Sequence, residues 1–347
     1  MVLTYEKWET RVKEVEQEIR DVLKGGGTPL NIACSYQMGL CTKDGVEADL
    51  TKGKFLRPTL LMLMCTGLGG KSETALSAAA CLELIHRSSL VFDDIQDNGL
   101  DRNGRPTIPA VWGSNQAINA GNALSCYARL ALQRMRGKGC PESVVLDVMD
   151  VLERMVIRIC EGQWQDLAFQ KGEIGIHKPI SFYMDMARNK TGALFAAACE
   201  VGAMIAGSPP SVQYAAHRFG EFLGLAFQIH DDYLGIWGDE TEVGKTANDL
   251  MEKKHSLPVA IALERIPNEH VMPMKCMVHV LNSPFISPQD AVVIRETMEA
   301  NGIDKQTLSM ERQIASDAEK ALRTIPVNTA ELEGLLNFIK AGMERTF

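Results

Sequence analysis

The segment that most constrains the fold is an apolar, alanine- and leucine-rich run at residues 72 to 97, which ends in Asp93, Asp94 and Asp97. Its apolar residues recur at helical spacing and predict a buried helix. On that helix Asp93 and Asp97 lie on one face, with Asp94 about 100° further round. Carboxylates near a helix C-terminus repel one another and oppose the helix dipole. This helix end is therefore predicted to bind a cation.

The type of ligand suggests which cation. Oxygen ligands favour Mg²⁺, which keeps several waters and is usually held by one or two carboxylates together with substrate phosphates. A second acid pair, Asp231 and Asp232, lies near the end of another apolar segment at 219 to 237. Two opposed acid pairs are what a multi-metal diphosphate clamp requires. The alternative interpretation of the first motif is a solvated acidic helix end.

Composition limits the class of protein. The chain has 347 residues, 46% of them hydrophobic, and no linker-like tract, so one domain over 1–347 is expected. A net charge of −8 with interspersed signs argues against nucleic acid and anionic lipid as partners. Nine scattered cysteines without a Cys-x-x-Cys pair favour a reduced compartment, here the cytoplasm, over disulfides or zinc. The start of the chain fits neither a signal nor a transit peptide, and no transmembrane segment is expected.

The remaining pattern is helical throughout, and no stretch shows the alternation of an exposed strand. Helices are predicted at 3 to 24, 32 to 41, 72 to 97, 113 to 134, 141 to 168, 219 to 237, 288 to 301, 305 to 323 and 329 to 344. A further helix is predicted to begin at Pro179 and to contain Lys190-Thr191-Gly192, followed by the small-residue run Ala193 to Ala206. Polar motifs at the helix ends then imply an all-α fold, a large helical bundle around a central cavity whose mouth binds the metals.

Cationic and polar candidates accompany the acids. Lys54 and Arg57 precede a helix N-terminus opened by Pro58, where an anion is favoured, although a pair of snorkelling side chains would look the same. His86 lies two turns before Asp93 and shares its face, unless it is simply a buried, hydrogen-bonded histidine.

Further polar residues lie later in the chain. Gln163 and Asp166 share one face of an apolar helix. The segments 238 to 245 and 249 to 254 carry cations that could close over bound phosphates.

The chain resembles the trans-isoprenyl diphosphate synthases in the order and spacing of eight motifs. They are Gly53-Lys-x-x-Arg-Pro58, Asp93-Asp-x-x-Asp97, Arg102-x-Gly-x-Pro-Thr107, Gly162-Gln-x-x-Asp-Leu167, Lys190-Thr191, Gln228-x-x-Asp-Asp232, Gly244-Lys245 and Asp249-Leu-x-x-x-Lys254. The resemblance implies a homodimeric all-α prenyltransferase that joins an allylic prenyl diphosphate to isopentenyl diphosphate, with three Mg²⁺ per active site.

The resemblance also implies roles for individual residues. Direct Mg²⁺ ligands would be Asp93, Asp97 and Asp231, with Asp94 and Asp232 supporting them. The allylic diphosphate would be bound by Arg102, Lys190 and Lys245, with Thr191 and Gln228 offering dipoles to the cation. Lys254 would be a further substrate-binding residue. Isopentenyl diphosphate would be bound by Lys54, Arg57, His86 and the residue at position 103.

Three departures from the family pattern keep other functions open. Asn103 stands where the pattern has a second arginine, Gly235 replaces the last aspartate of the second acid motif, and the loop at 244 to 249 is one residue short. A class I terpene cyclase would use Asp231, Gly235 and Asp239 at its second metal motif, and a non-catalytic partner subunit is the other alternative. A cyclase has no use for Lys54, Arg57 and His86.

The product length is predicted from the helix that carries Asp93. Ser88 and Ser89 lie about one turn before it and are small, so the first obstruction to a growing tail would be deeper, near Ile85, Leu82 and Cys81. Geranylgeranyl diphosphate or a longer product is expected, unless the helix bearing Met62 and Met64 closes the pocket earlier.

Overall fold

A computed structural model describes residues 5–25, 27–50, 55–175, 178–238, 249–265, 280–281, 283, 285–328, 334–335 and 337. The first half contains α1 (Tyr5–Leu23), α2 (Pro29–Gln37), α3 (Leu56–Gly67), α4 (Ser72–Gln96), α5 (Ile108–Trp112), α6 (Ser114–Gln133) and α7 (Glu142–Gln170). The second half contains α8 (Ile180–Ala187), α9 (Ala193–Ile205), α10 (Pro210–Trp237), α11 (Leu257–Arg265), α12 (Pro288–Ala300) and α13 (Ile303–Arg323). The all-α prediction is confirmed.

Local sequence accounts for where several helices begin. Thr28 caps α2, its hydroxyl accepting from Asn31 N, and Pro29 occupies the first turn, where its missing N–H costs nothing. Ser287 and Asp290 form a reciprocal capping box at the start of α12. These caps satisfy backbone donors that would otherwise lack partners.

The helix of the first acid motif, α4, is packed through small residues. Ala75, Ala78 and Ala79 are fully buried, as the sequence predicted, and α4 packs along α6 and against α3 and α9. A similar close approach holds α9 and α3 together, because a Cβ on Gly202 would stand 2.6 Å from Leu61 O. The small-residue run at 193 to 206 therefore serves tight packing.

Two apolar clusters form the core, and α10 contributes to both. The first cluster includes Ala216, Phe219 and Leu223 of α10 together with α3, α4, α6 and α9. The second includes Leu225, Ile229 and Ile236 with α8, α11 and α13. The single domain over 1–347 stays a prediction.

Several local features differ from the sequence expectations. Strands β1 (Asp101–Arg102) and β2 (Arg105–Pro106) form a small antiparallel hairpin where no strand was expected. Residues Arg188–Gly192, expected within an ordinary helix, form a π-helical turn between α8 and α9. Helix α10 begins at Pro210, earlier than expected, and α11 was not predicted. The predicted helix at 329 to 344 lies almost entirely outside the described residues.

Helix α4 is the most apolar long helix among the described residues. By length and composition alone, Ser72–Gln96 could cross a bilayer, although no transmembrane segment was expected. In the structure, 61% of its most apolar window is buried inside the molecule. Burial between α3, α6 and α9 therefore explains its apolar character.

Candidate active site

The first acid motif lies at the C-terminal end of α4, beside the hairpin. Arg102 Nε donates to Asp94 Oδ1 at 2.9 Å, and Arg102 Nη2 donates to Asp93 Oδ2 at 3.2 Å. Asp94 is buried, whereas Asp93 is more open to solvent. Burial, and then the neighbouring Asp93 carboxylate, raise the pKa of Asp97 to about 6. Arg102 thus offsets only part of the negative charge at this helix end.

The hairpin explains the departure at position 103. Asn103 and Gly104 form its two-residue turn, with φ of 57° and 75°. Left-handed φ at both central residues is the type I′ turn, for which Asn-Gly is a preferred sequence. An arginine at position 103 would carry a conformational penalty that asparagine largely avoids.

Asn103 borders a cleft that the sequence analysis did not assign. It is lined by Arg87, Arg102 and Arg105 together with Tyr36 and Gln37. Arg105 stacks over the Tyr36 ring and donates to Tyr36 O at 3.1 Å. Arg105 occupies a variable position of the motif and was overlooked for that reason. The cleft therefore keeps positive charge despite Asn103.

Arg57 and His86 meet inside the molecule. Arg57 Nη1 donates to His86 Nε2 at 3.2 Å, and the guanidinium lies 4.9 Å from the Phe195 ring centroid. Burial, and then the Arg57 charge, lower the pKa of His86 well below its ordinary value, so the ring is neutral. Arg57 Nε and His86 Nδ1 are buried, and no described residue forms a hydrogen bond with either atom. The pair brings one net positive charge, as an anion site needs, while Lys54 lies outside the described residues.

Helix α7 and the π-helical turn place Gln163 and Lys190 beside carboxylates of the site. Lys190 Nζ donates to Asp166 Oδ2 at 2.6 Å, and Gln163 Nε2 donates to Asp93 Oδ1 at 3.2 Å and to Gln96 Oε1 at 2.9 Å. Gln163 and Asp166 were recognised as a polar pair on one face but were given no role. Their contacts link α7 to the first acid motif and to Lys190.

Gly162 allows α7 to approach the π-helical turn. A Cβ at Gly162 would stand 2.5 Å from Lys190 N. A π-helical turn carries one extra residue, which changes the direction of the side chains around it, and such turns are common at functional sites. Lys190 and Thr191 both lie in this turn.

The second acid motif is held by a chain of hydrogen bonds. Thr191 Oγ1 donates to Gln228 Oε1 at 2.5 Å, and Gln228 Nε2 donates to Asp232 Oδ1 at 2.8 Å. Leu257 N donates to the other oxygen of Asp232 at 2.8 Å. Burial, and then the charge of Asp249, raise the pKa of Asp232 to about 7. Asp232 is buried and bonded within the protein, whereas Asp231 is only half-buried.

This arrangement suits oxygen-bound cations that are shared with a ligand. Within the described parts of the chain, no three His, Cys, Asp or Glu side chains come together as a ready-made metal site. Mg²⁺ does not need three clustered protein ligands, because substrate phosphates and waters supply its other coordinating oxygens. The oxygen-only donors and the repulsion between Asp93 and Asp97 fit this ion. Asp93, Asp97 and Asp231 would hold it.

Two further predicted substrate-binding lysines are Lys254, which the structure describes, and Lys245, which it does not. Lys254 Nζ lies 3.1 Å from Asp249 Oδ1 and 2.8 Å from Glu252 Oε2, and its charge also acts on Asp97. It therefore stands at the site. Residues 239–248, which include Lys245, lie outside the described residues.

A sequence profile of the polyprenyl synthetase family matches residues 45–279. The chain belongs to the polyprenyl synthetase family. This polyprenyl synthetase has aspartate pairs at both acid motifs, Asp93-Asp94 and Asp231-Asp232. The fold brings Arg102, Gln163 and Lys190 close to the first motif.

Individual relatives show how far the similarity extends. The chain is 40% identical over 214 residues to a short chain isoprenyl diphosphate synthase of Methanothermobacter thermautotrophicus, covering 61% of this chain and 64% of that relative. It thus spans slightly less than two thirds of that relative's length.

Two broader matches complete the comparison. The chain is 30% identical over 310 residues to a (2E,6E)-farnesyl diphosphate synthase of Mycobacterium bovis, covering 88% and 84% of the two chains. A geranylgeranyl pyrophosphate synthetase structure from Pyrococcus horikoshii matches with a TM-score of 0.83 at 28% identity, covering 98% and 97%.

Proposed function

We propose that this polyprenyl synthetase is a trans-prenyltransferase that extends an allylic prenyl diphosphate with isopentenyl diphosphate. The observation that carries the proposal is the coexistence of two kinds of site. Acid motifs on α4 and α10, with Arg102 and Lys190 beside the first, suit a metal-bound diphosphate that leaves. The pair of Arg57 and His86, in which neither residue is a carboxylate, suits a diphosphate that stays attached.

Bound Mg²⁺ would supply Lewis-acid stabilisation of the departing diphosphate. Around it, Arg102 and Lys190 add positive charge where negative charge develops as the allylic C–O bond breaks. Thr191 and Gln228, which are hydrogen-bonded to each other, would offer local dipoles to the carbocation that remains. The double bond of isopentenyl diphosphate then forms the new C–C bond, and the released diphosphate accepts the proton lost in the last step. No side chain is needed as a general base.

The alternatives make different demands on the site. A terpene cyclase would not need Arg57 and His86, and a non-catalytic subunit would not need both acid motifs. An assay with an allylic diphosphate and Mg²⁺, with and without isopentenyl diphosphate, separates the three when products are identified by mass spectrometry. Elongation only with isopentenyl diphosphate supports the proposal. Cyclisation without it, or no reaction, would replace the proposal with the cyclase or the subunit.

We expect geranylgeranyl diphosphate or a longer product. The structure distinguishes the two serines that sequence reasoning treated together. Ser88 Oγ donates to Gly121 O at 2.9 Å and lies 2.8 Å from Ser125 Oγ, so Ser88 faces α6. Ser89 is half-buried and lies four residues before Asp93 on the same face. A tail beneath the first acid motif would therefore meet Ser89 rather than Ser88.

Ser89→Phe should shorten the product by at least one isoprene unit, because the ring would fill the space about one turn below Asp93. The product distribution is measured by mass spectrometry, with Ser89→Ala as the matched control that should leave product length unchanged. Ser88→Phe should instead disturb the contact of α4 with α6 and lower the melting temperature. An unchanged product from a folded Ser89→Phe variant would remove this face from the wall of the pocket.

We further propose a homodimer and a cytoplasmic location. Large apolar side chains are exposed on two adjacent helices: Ile118 and Leu130 on α6, and Leu146, Ile157 and Trp164 on α7. Burial of these exposed apolar side chains against a second copy of the chain would remove them from water. Light scattering after gel filtration should give about twice the 38.2 kDa chain mass, and a monomer would contradict the dimer.

The eight cysteines among the described residues are all free thiols, which suits a reduced compartment.

A further inference from the structure

Gly235 stands where the second acid motif lacks a carboxylate. It lies four residues after Asp231 on α10, so a side chain there would project from the face of Asp231. A Cβ at Gly235 would be 2.0 Å from Asp249 Oδ2, 2.4 Å from Asp249 Cγ and 3.1 Å from Asp249 Oδ1. The carboxyl carbon of an aspartate at 235 would lie about 1.5 Å from the same Cβ. The carboxylate of Asp249 therefore occupies the space of the missing side chain.

We propose that Asp249 supplies, from another part of the chain, the carboxylate that position 235 lacks and so completes the second acid motif. The inference rests on the proposed function, because it concerns the Mg²⁺ that Asp231 would hold. In this role Asp249 would be a positioning residue, supporting an ion that Asp231 would hold.

The backbone and Lys254 hold Asp249 in place. Asp249 N donates to Gly235 O at 3.3 Å, so the segment that carries Asp249 rests directly on α10. Lys254 Nζ donates to Asp249 Oδ1 at 3.1 Å, and Lys254 N donates to Asp249 O at 3.0 Å. These contacts fix the side chain and turn Oδ2 toward position 235.

The electrostatics agree with this position. Burial raises the pKa of Asp249, and Lys254 opposes that shift. After burial, the charge of Asp249 is the strongest influence that raises the pKa of Asp232. Asp249 therefore acts on the second acid motif as one more carboxylate, and a cation there would relieve the repulsion.

A purely structural role for Asp249 predicts a different result. If Asp249 only paired with Lys254, then Glu252, the second carboxylate bound to Lys254, would be an equivalent partner. Glu252 is half exposed, at 50%, and has no contact with position 235 among the described contacts. Glu252→Gln is therefore the matched control for Asp249→Asn.

Binding of inorganic diphosphate in the presence of Mg²⁺, measured by isothermal titration calorimetry, tests the inference without turnover. Asp249→Asn should raise the Mg²⁺ concentration for half-maximal diphosphate binding by about tenfold or more, as loss of an outer-shell partner does. Glu252→Gln should change it by less than about twofold, as expected of a surface ion pair. Equal behaviour of Asp249→Asn and wild type would overturn the inference, and equal losses in both variants would reduce Asp249 to a partner of Lys254.

Moving the carboxylate back to α10 provides the second test. Gly235→Asp alone should weaken binding, because its Cβ cannot share space with Asp249. The double variant Gly235→Asp with Asp249→Gly should recover wild-type binding to within about threefold, since the two changes are coupled. A double variant as weak as Asp249→Asn would overturn the inference even if the proposed function holds. Wild type without Mg²⁺-dependent diphosphate binding would instead overturn the proposed function.

Discussion

Asp93→Asn should lower kcat by about a thousandfold or more, because it removes a charged oxygen from the cluster that would bind Mg²⁺ and stabilise the leaving diphosphate. The substitution keeps the size of the side chain, and Asp93 is partly open to solvent, so circular dichroism and the melting temperature should change little. Asp231→Asn should behave in the same way on the opposite motif. Activity is measured at increasing Mg²⁺ concentrations.

Asp150→Asn is the matched control for this loss. Asp150 is an exposed aspartate on α7 whose carboxylate pairs with Arg154 at 2.7 Å. Loss of an exposed pair of this kind is worth at most about 1 kcal/mol, and activity should not change. Near-normal activity of Asp93→Asn or Asp231→Asn at saturating Mg²⁺ would show that the two acid motifs do not form a metal clamp.

Gly162→Ala should lower kcat by about a hundredfold, a large loss for a single methyl group. The new Cβ would be 2.5 Å from Lys190 N and 2.9 Å from Lys190 Cα, and backbone atoms cannot yield without moving the π-helical turn. Lys190 and Thr191 would shift with that turn, away from Asp166 and Gln228. Steady-state kinetics at a temperature where the variant is fully folded measure the effect.

A second crowded glycine separates this mechanism from general damage. Gly202→Ala would place a Cβ 2.6 Å from Leu61 O, at a helix contact that involves neither acid motif. Both variants should lose about 1–3 kcal/mol of stability through overpacking. Only Gly162→Ala should lose kcat. If Gly202→Ala lost as much kcat as Gly162→Ala, the loss would reflect the strain of any crowded contact and not the position of Lys190.

The sequence predicted those parts of the site that depend on helical periodicity. The spacing of Asp93 and Asp97, and of His86 two turns earlier, depends only on α4 being a regular helix, and α4 is one. The π-helical turn was missed because one extra residue in a turn leaves no periodic signature. The hairpin was missed although Asn103-Gly104 is a strong turn signal, because the motif was interpreted through its charges.

The contact of Asp249 with Gly235 was beyond sequence reasoning for another reason. The two residues belong to different motifs in the chain, and their contact is visible only in the folded structure. Gly235 was interpreted as a lost carboxylate, and Asp249 as part of a separate motif. Such a replacement in space has no local pattern that a single sequence could show.

The position of α10 has a consequence for unfolding. This helix contributes to both apolar clusters, and Gln228, Asp231 and Asp232 lie on its second half, among residues of the second cluster. Asp232 is also bonded to the first residue of α11. Opening of the C-terminal helices would therefore expose the backbone amides of α11 to hydrogen exchange and release the second acid motif in one cooperative step. The enzyme should then be inactivated by partial unfolding well before α4 and α6 separate.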